Sequence, residues 1–149
     1  MPTSFPIQYR RLRWSDYAVC KDVFRKAFAY SEWRRLAEAW SARTTDACYV
    51  ATYRDAIVGF SLIADDTVKY IAVHPEYQGY KVGSGLLTRS LRAVPDLRAI
   101  RLITAGDERL VGWYGRYGFR VSTELISADG DFVGAHMVRR QRCRSAVRI

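Results

Sequence analysis

The chain has 149 residues and a formal net charge of +9 at neutral pH, with 49% apolar and 26% charged residues. These values predict one folded domain, and no apolar run reaches the roughly 18 residues that a membrane helix needs. Residues 1–6 lack the features of a secretory signal, and the three widely spaced cysteines (Cys20, Cys48 and Cys143) predict neither a zinc site nor a disulfide framework. We therefore expect a cytoplasmic protein without a bound metal, in which Cys20 and Cys48 are core residues.

The sequence up to residue 41 predicts a strand and two helices. An edge strand is expected over residues 7–13, and Ser15 or Asp16 can cap the helix that follows. The buried face of that helix is indicated by apolar residues at helical spacing, namely Cys20, Val23, Phe24, Ala27 and Phe28. A second helix is expected to start at Ser31, and its apolar residues are Trp33, Leu36, Ala37 and Trp40.

Three strand patterns follow, and the first two are closely joined. They cover residues 47–53 and 56–64, and only Arg54 and Asp55 separate them, which predicts a hairpin with a two-residue turn. The Asp65–Asp66 pair marks the next turn and leads into a strand over residues 67–73.

The stretch over residues 73–87 is the most informative part of the chain. The strand ends before Pro75, and a helix runs from a glycine-rich turn to Pro95. A helix start presents unpaired backbone N–H groups and the positive end of the helix dipole, and glycines allow a ligand to approach the backbone. With the charge of Lys81 beside them, these features predict a site for phosphate or another anion. The spacing fits neither a P-loop nor the dinucleotide-binding fingerprint, since Gly83 and Gly85 lack a third glycine and an acidic partner.

The last third of the chain predicts one helix and three strands. A strand over residues 98–104 precedes a short helix over 108–117, with Leu110, Trp113, Tyr114 and Tyr117 on one face. Gly118 is a natural helix cap, and strands over 119–127 and 131–139 form a hairpin around Asp129–Gly130. The segment 107–119 ends in the pattern Tyr-x-x-x-Gly-Phe.

Both segments resemble the GNAT superfamily of N-acetyltransferases. In that family an Arg/Gln-x-x-Gly-x-Gly/Ala turn after the fourth strand holds the pyrophosphate of coenzyme A, and the fourth helix closes with Tyr-x-x-x-Gly-Phe. The run Gln78-Gly79-Tyr80-Lys81-Val82-Gly83-Ser84-Gly85-Leu86-Leu87 is similar to this turn. Tyr80 stands where the family usually has Arg or Gln, and Lys81 where it often has Gly.

The resemblance covers residue 7 to about residue 139 and implies the fold. The order β-α-α-β-β-β-α-β-α-β-β is that of the GNAT fold, an α/β (α+β) architecture with a mixed, mostly antiparallel sheet of about seven strands and about four helices. It implies a single domain over residues 1–140 and a basic tail over residues 141–149.

The resemblance also implies acetyl-CoA as the co-substrate and a set of binding residues. The backbone of the fourth strand would pair with the pantetheine arm and donate a hydrogen bond to the oxyanion. Asp107 takes a position where relatives often have an Asn that contacts the cofactor arm. The full set is Ile71, Ala72, Val73, Gln78, Gly79, Tyr80, Lys81, Val82, Gly83, Ser84, Gly85, Asp107 and Tyr114.

Acetyl transfer to an amine also needs proton transfer, and the resemblance implies Tyr114 as the general acid. The family often places a Glu or His base on the fourth strand or uses water. The candidates for the base are His74 and Glu124, with Glu76, Asp107 and His136 also available. The acceptor would enter between the first two helices and the last hairpin, where Tyr30, Trp33 and Trp40 could line its path.

The leading hypothesis is therefore an N-acetyltransferase that acts on a primary amine of a small molecule, a protein or an aminoacyl-tRNA. One alternative is an acetyl-CoA sensor without turnover. The other is a nucleic-acid-binding domain, because the last eleven residues contain five arginines: Arg139, Arg140, Arg142, Arg144 and Arg148. We favour a solvated chain end over nucleic-acid binding for this tail, and we expect no membrane partner. Homodimers are frequent in the family.

Overall fold

A computed structural model describes residues 6–28, 33–94 and 99–141, and for Trp33 it describes the backbone only. The predicted helix start at Ser31, the predicted stop at Pro95 and the arginine-rich tail from Arg142 onward lie outside these residues.

Strands and helices follow one another in the predicted order. They are β1 (Gln8–Arg11), α1 (Tyr17–Ala27), α2 (Trp33–Ser41), β2 (Tyr49–Tyr53), β3 (Ala56–Ala64), β4 (Thr67–Val73), α3 (Val82–Ala93), β5 (Ala99–Ala105), α4 (Glu108–Gly115), β6 (Arg120–Ile126) and β7 (Phe132–Arg140). The bounds of β3 and β4 are those predicted from their apolar patterns. Single 3-10 turns at Trp14–Asp16, Thr45–Ala47 and Pro75–Tyr77 were not predicted.

The strands form a mixed sheet with the order β1-β2-β3-β4-β5-β7-β6. The pairing of β4 with β5 is parallel, and the pairings of β1 with β2, β2 with β3, β5 with β7 and β6 with β7 are antiparallel. The predicted fold class is therefore confirmed. By its internal contacts the chain divides into two compact units. The first unit comprises Met1–Asp65 and Lys69–Val94, and the second comprises Asp66–Val68 and Pro95–Ile149.

The predicted β2–β3 hairpin is present, and its turn has an unusual backbone. Arg54 and Asp55 both have positive φ angles, 50° and 67°. Two consecutive left-handed residues are the mark of the turn type whose twist matches that of paired strands. The turn therefore sets the register in which Tyr53 lies opposite Ala56.

Most of the apolar residues predicted to form the buried face of helix α1 are buried in the structure. Cys20, Val23 and Phe24 are buried, whereas Phe28 is 38% exposed. Phe28 lies beyond the last residue of the helix and has an extended backbone, so helical spacing no longer governs the direction of its side chain.

The expected cap of α1 is absent, because the carboxylate of Asp16 has other partners. It accepts hydrogen bonds from both terminal nitrogens of Arg10 (2.9 and 3.0 Å) and from the backbone N–H of Arg13 (2.7 Å). Burial alone would raise the pKa of Asp16, but the hydrogen bonds from Arg10 and Arg13 lower it. Asp16 therefore ties β1 to the start of α1 instead of capping the helix.

Helix α4 of the second unit packs less deeply than its sequence pattern predicted. None of its residues is fully buried, and Leu110 is 38% exposed. The buried residues of this unit lie mainly in the strands, and include Ile100, Leu102, Phe119, Ala135 and Met137. No helix among the described residues has both the length and the hydropathy to cross a membrane.

Helix α3 of the first unit is held by a close contact with β1. A Cβ at Gly85 would lie 2.1 Å from the hydroxyl oxygen of Tyr9 and 2.4 Å from the ring carbon that bears it. The ring of Tyr9 is covered by Arg89, whose guanidinium carbon lies 3.8 Å from the ring centroid and which also donates to the carbonyl of Gly85 (3.1 Å). Gly85 is therefore required here by packing.

We expect Gly85→Ala to lower the free energy of unfolding by about 1–3 kcal/mol, because the new methyl group collides with Tyr9. Gly112→Ala in α4 is the matched control, since a Cβ at Gly112 meets no atom within 4 Å. The control should gain up to about 1 kcal/mol from helix propensity. Urea unfolding of both variants measures the difference. Equal effects at the two glycines would contradict the packing role, as would an unchanged penalty for Gly85→Ala in a Tyr9→Ala background.

Candidate functional site

The segment between β4 and α3 folds back on the strand before the helix starts. The 3-10 turn Pro75–Tyr77 is followed by Gln78, whose side-chain amide donates to the carbonyl of Val73 (3.0 Å). Gly79 has a φ of 86°, which favours glycine. The hydrogen bond of Gln78 and the left-handed backbone of Gly79 thus direct the chain towards the start of α3.

The start of α3 offers backbone donors to a ligand. Lys81 precedes the helix and makes no capping hydrogen bond with its side chain. The first helical bond runs from the N–H of Gly85 to the carbonyl of Lys81 (3.1 Å), so the N–H groups of Val82, Gly83 and Ser84 have no acceptor within the helix. These donors and the helix dipole provide the means to bind an anion.

The side chains around this turn point to a site built mainly from backbone. Val82 is 1% exposed and belongs to a core cluster with Ala51, Val58 and Leu86. Tyr80 packs against the same cluster. The side chain of Lys81 is exposed, and it is the cationic side chain nearest in sequence to the N–H groups of Val82, Gly83 and Ser84.

Lys81 adopts a backbone conformation that suits glycine better. Its φ is 65° and its ψ is 21°, in the left-handed helical region. This geometry accounts for the Gly that the GNAT superfamily, which the turn resembles, often has at this position. In this chain the lysine adds a positive charge next to the amides at the cost of backbone strain.

The strand before the turn contains Ile71, Ala72 and Val73, the residues predicted to pair with the pantetheine arm. Parallel pairing of β4 with β5 joins Thr67 to Arg101 and Val68 to Leu102, so it ends before Ile71. Ala72 is fully buried, and the N–H of His74 donates to the carbonyl of Val58 (2.8 Å).

His74 was predicted as a candidate base, and one of its ring nitrogens is occupied. Nδ1 accepts a hydrogen bond from the backbone N–H of Glu76 (3.1 Å), and the ring makes an edge contact with Tyr77 (5.9 Å). In the neutral imidazole the proton then lies on Nε2, which can donate but not accept. To act as a base His74 would have to give up its bond to Glu76.

Tyr114 lies in α4 of the second unit, in an aromatic environment. Its ring makes edge contacts with Trp113 (4.8 Å between centroids) and Phe119 (5.8 Å). Burial raises the pKa of Tyr114 to about 12. The phenol therefore keeps its proton at neutral pH and can act as a hydrogen-bond donor.

The acidic candidates of the second unit have different surroundings. Asp107 is the N-cap of α4, and its Oδ1 accepts from the backbone N–H of Arg109 (2.8 Å). Glu124 is exposed on β6, opposite Ala135 of β7. The capping role of Asp107 was not predicted, although an Asp directly before a helix is a common signal for it.

Of the three aromatic residues predicted near the acceptor, Tyr30 and the side chain of Trp33 lie outside the described residues. Trp40 is a core residue. It is 6% exposed, packs edge-on against Tyr17 (5.1 Å) and has the guanidinium of Arg43 over its ring (5.2 Å).

The second unit also has a cavity of about 320 Å³ on its strands. It borders an irregularity in β6 at Ser122, and among the candidate bases it includes only His136. Its lining residues are Arg101, Leu102, Ser122, Thr123, Leu125, His136, Met137 and Val138. Among the residues that the structure describes, no group of three or more His, Cys, Asp or Glu is placed to hold a metal ion.

Comparison with known families identifies the class of protein. The Acetyltransferase (GNAT) domain matches residues 44–121, which is more than half of the chain and includes the turn before α3 and Tyr114. The chain therefore belongs to the GNAT acetyltransferase family, as the two sequence motifs predicted. A comparison with curated proteins gave no significant match.

Solved structures show the same fold. A protein from Pyrococcus horikoshii has a TM-score of 0.74 at 18% identity, over 91% of this chain and 99% of that one. Naa50 from Arabidopsis thaliana, in complex with the bisubstrate analogue CoA-Ac-MVNAL, has a TM-score of 0.73 at 17% identity, over 91% and 99%. The ribosomal-protein-S18-alanine N-acetyltransferase from Escherichia coli has a TM-score of 0.73 at 16% identity, over 96% and 99%. With the family match, these neighbours support acetyl transfer as the general activity.

We expect Lys81→Gly to raise the free energy of unfolding by about 1 kcal/mol, because glycine adopts the left-handed conformation without a Cβ clash. Lys81→Ala is the control, since it removes the same charge but keeps the Cβ, and it should leave stability within about 0.5 kcal/mol of the parent. Urea unfolding separates the two effects. A Gly variant no more stable than the Ala variant would show that residue 81 is not strained.

The raised pKa of the Tyr114 phenol should make the protein sensitive to alkaline pH. Its folded pKa of about 12 exceeds the unfolded value of about 10, so the stabilisation is complete below pH 10 and is lost as pH rises towards 12. At pH 11 the parent should have lost about 1.4 kcal/mol more than Tyr114→Phe, relative to pH 7. Urea unfolding at the two pH values measures this. Parallel losses in the two proteins would mean that Tyr114 is not buried as a neutral group.

Proposed function

We propose that the protein is an N-acetyltransferase that transfers the acetyl group of acetyl-CoA to a primary amine by direct attack. The observation that carries the proposal is the left-handed turn at Lys81, which is followed by three N–H groups without an acceptor in α3. The pyrophosphate of the cofactor would lie on the amides of Val82, Gly83 and Ser84, with the Lys81 ammonium adding charge. The neighbour Naa50, solved with a CoA-containing analogue, supports this choice of ligand.

The reaction makes three demands on the protein. A neutral amine attacks the thioester carbonyl, the oxyanion that forms needs a donor, and the C–S bond then breaks to release a thiolate. The N–H groups of Ile71–Val73 in β4 are the proposed oxyanion donors. The amine loses one proton and the thiolate of coenzyme A gains one, so proton transfer balances overall.

Tyr114 is the proposed partner of the departing thiolate. With a pKa of about 12, its phenol stays protonated at neutral pH, whereas a thiol has a pKa of about 8.5. Complete transfer of the proton from Tyr114 to the thiolate is therefore unfavourable at equilibrium. We expect Tyr114 to stabilise the developing negative charge on sulfur by donating a hydrogen bond, with the amine proton reaching sulfur through solvent or through Tyr114 as a relay.

The residue that removes the amine proton would be Glu124, His74 or a water held by one of them. The engaged Nδ1 of His74 favours Glu124 or water over the imidazole. A second candidate function is an acetyl-CoA sensor without turnover. It is favoured by the composition of β4, in which no residue supplies a carboxylate or an imidazole.

Thermal unfolding with and without acetyl-CoA, followed by an assay of released thiol, tests the proposal. At one hundred times Kd the cofactor should add about 2.7 kcal/mol, a shift in Tm of roughly 5–10 °C. Tyr114→Phe should keep this shift and lose about 10²- to 10⁴-fold in kcat. Lys81→Ala should reduce the shift and keep the rate at saturating cofactor.

The outcomes separate the two functions. A shift in Tm with turnover that depends on Tyr114 fits the enzyme. A shift without turnover on a broad panel of amines would identify a sensor. No shift at millimolar acetyl-CoA would refute both.

A further inference from the structure

The two faces of β4 have different neighbours in the first unit. Ile71 and Val73 pack against the core cluster that contains Val82 and Leu86 of α3. Because side chains alternate along a strand, Tyr70 points to the opposite face, where it contacts Phe24 of α1. The helix that would hold the cofactor phosphates therefore covers one face of β4, and α1 lies on the other.

Three aromatic rings meet on the α1 face, and we call them the aromatic cluster: Phe24, Phe28 and Tyr70. The ring of Phe24 is 4.8 Å from Tyr70 and 5.1 Å from Phe28, and Phe28 is 6.2 Å from Tyr70. Phe24 is 3% exposed and forms the base of the cluster, whereas Phe28 is 38% exposed and Tyr70 is half-buried. The cluster thus presents ring surface to solvent beside the middle of β4.

The position of this surface matches the route that an acceptor would take. If the acetyl thioester lies against the backbone of Ile71–Val73, α3 blocks approach over the side chains of Ile71 and Val73. Ala72 on the other face is fully buried, so the attacking nitrogen would arrive beside Tyr70, which is half-buried. Tyr70 directly precedes the proposed oxyanion donors, so the carbon skeleton of the amine would rest on the aromatic cluster.

The charges near the aromatic cluster disfavour a polycation. Asp22 is the only carboxylate on α1, and it is paired with Lys26 at 3.0 Å. Arg25 follows Phe24 directly and is exposed, whereas Lys69 lies on the other face of β4, with Ile71. A substrate with several ammonium groups would meet positive charge and ring faces there, without a carboxylate from α1 to hold a second ammonium.

We propose that the aromatic cluster is the acceptor subsite and that it selects a primary amine attached to an aromatic or large apolar group. This inference rests on the proposed acetyltransferase function and adds the class of acceptor. The amine can be a free arylalkylamine or the N-terminus of a peptide with an aromatic first residue, since both present the same ring and nitrogen. Aromatic rings gain from stacking and edge contacts as well as from burial, so Phe28 and Tyr70 should contribute to specificity directly.

The test compares acceptors with the full-length protein and acetyl-CoA, by following the release of thiol. The panel contains phenethylamine, a dipeptide amide with N-terminal phenylalanine, ethylamine as the small amine and spermidine as the polycation. The parent should use phenethylamine or the dipeptide with a kcat/KM at least about tenfold above that for ethylamine and spermidine. Whichever of the two aromatic acceptors is faster identifies the source of the amine.

Phe28→Ala is the informative variant, because Phe28 is partly exposed and lies beyond the end of α1. It should lower kcat/KM about tenfold for the aromatic acceptor and less than about twofold for ethylamine. Phe28→Leu should recover part of the loss. Val19→Ala, which shortens a 47% exposed apolar residue on the same helix, is the matched control and should change neither value. The Tm shift with acetyl-CoA should be the same in all variants.

Failure of this inference differs from failure of the proposed function. If acetyl-CoA raises the Tm but spermidine is the best acceptor, or no aromatic amine is acetylated, the aromatic cluster is not the acceptor subsite. An equal loss of ethylamine and phenethylamine turnover in Phe28→Ala overturns the inference as well. If acetyl-CoA gives no shift, the proposed function itself is wrong and the inference falls with it.

Discussion

The packing of Val82 and Leu86 on Ala51 and Val58 is the constraint on which the candidate site depends. It fixes the first turn of α3 beside the end of β4, and Tyr9 against Gly85 limits how the helix can shift. A chain that leaves β4 and must enter a helix so placed has little room to turn. The left-handed conformation of Lys81 is the local consequence, and three amides without an acceptor in α3 follow it as the proposed anion donors.

Backbone and side chains have separate tasks at this turn. The proposed anion donors are main-chain groups, so they do not depend on the side chains of Tyr80 and Lys81, which differ from the residues usual in the family. Tyr80 packs on the core cluster. Lys81 supplies a positive charge but lacks the conformational freedom that glycine has in the left-handed region. Sequence departures in a motif of this kind change strain and electrostatics more than they change the donor geometry.

The groups proposed for proton transfer have three different surroundings. Burial keeps Tyr114 neutral, a hydrogen bond from Glu76 occupies His74, and Glu124 is exposed on β6. A thiolate leaving group of low basicity needs stabilisation of charge more than a strong acid. A neutral phenol with a raised pKa fits that need, and a water-mediated base is consistent with the absence of a carboxylate or imidazole on β4.

The sequence alone determined the order of the elements, the bounds of β3 and β4, the two-residue hairpin turn and the family. These features depend on local periodicity, on turn residues and on motifs of contiguous residues, which a sequence displays directly. Only the tertiary structure decided that Asp16 binds Arg10 instead of capping α1, that Tyr9 occupies the space beside Gly85, that Trp40 is in the core and that Phe28 meets Tyr70. Each of these depends on where a side chain finds its partners in space, and most of the partners are distant in the chain. Helical or strand spacing fixes the direction of a side chain within its own element, but it does not specify what lies there.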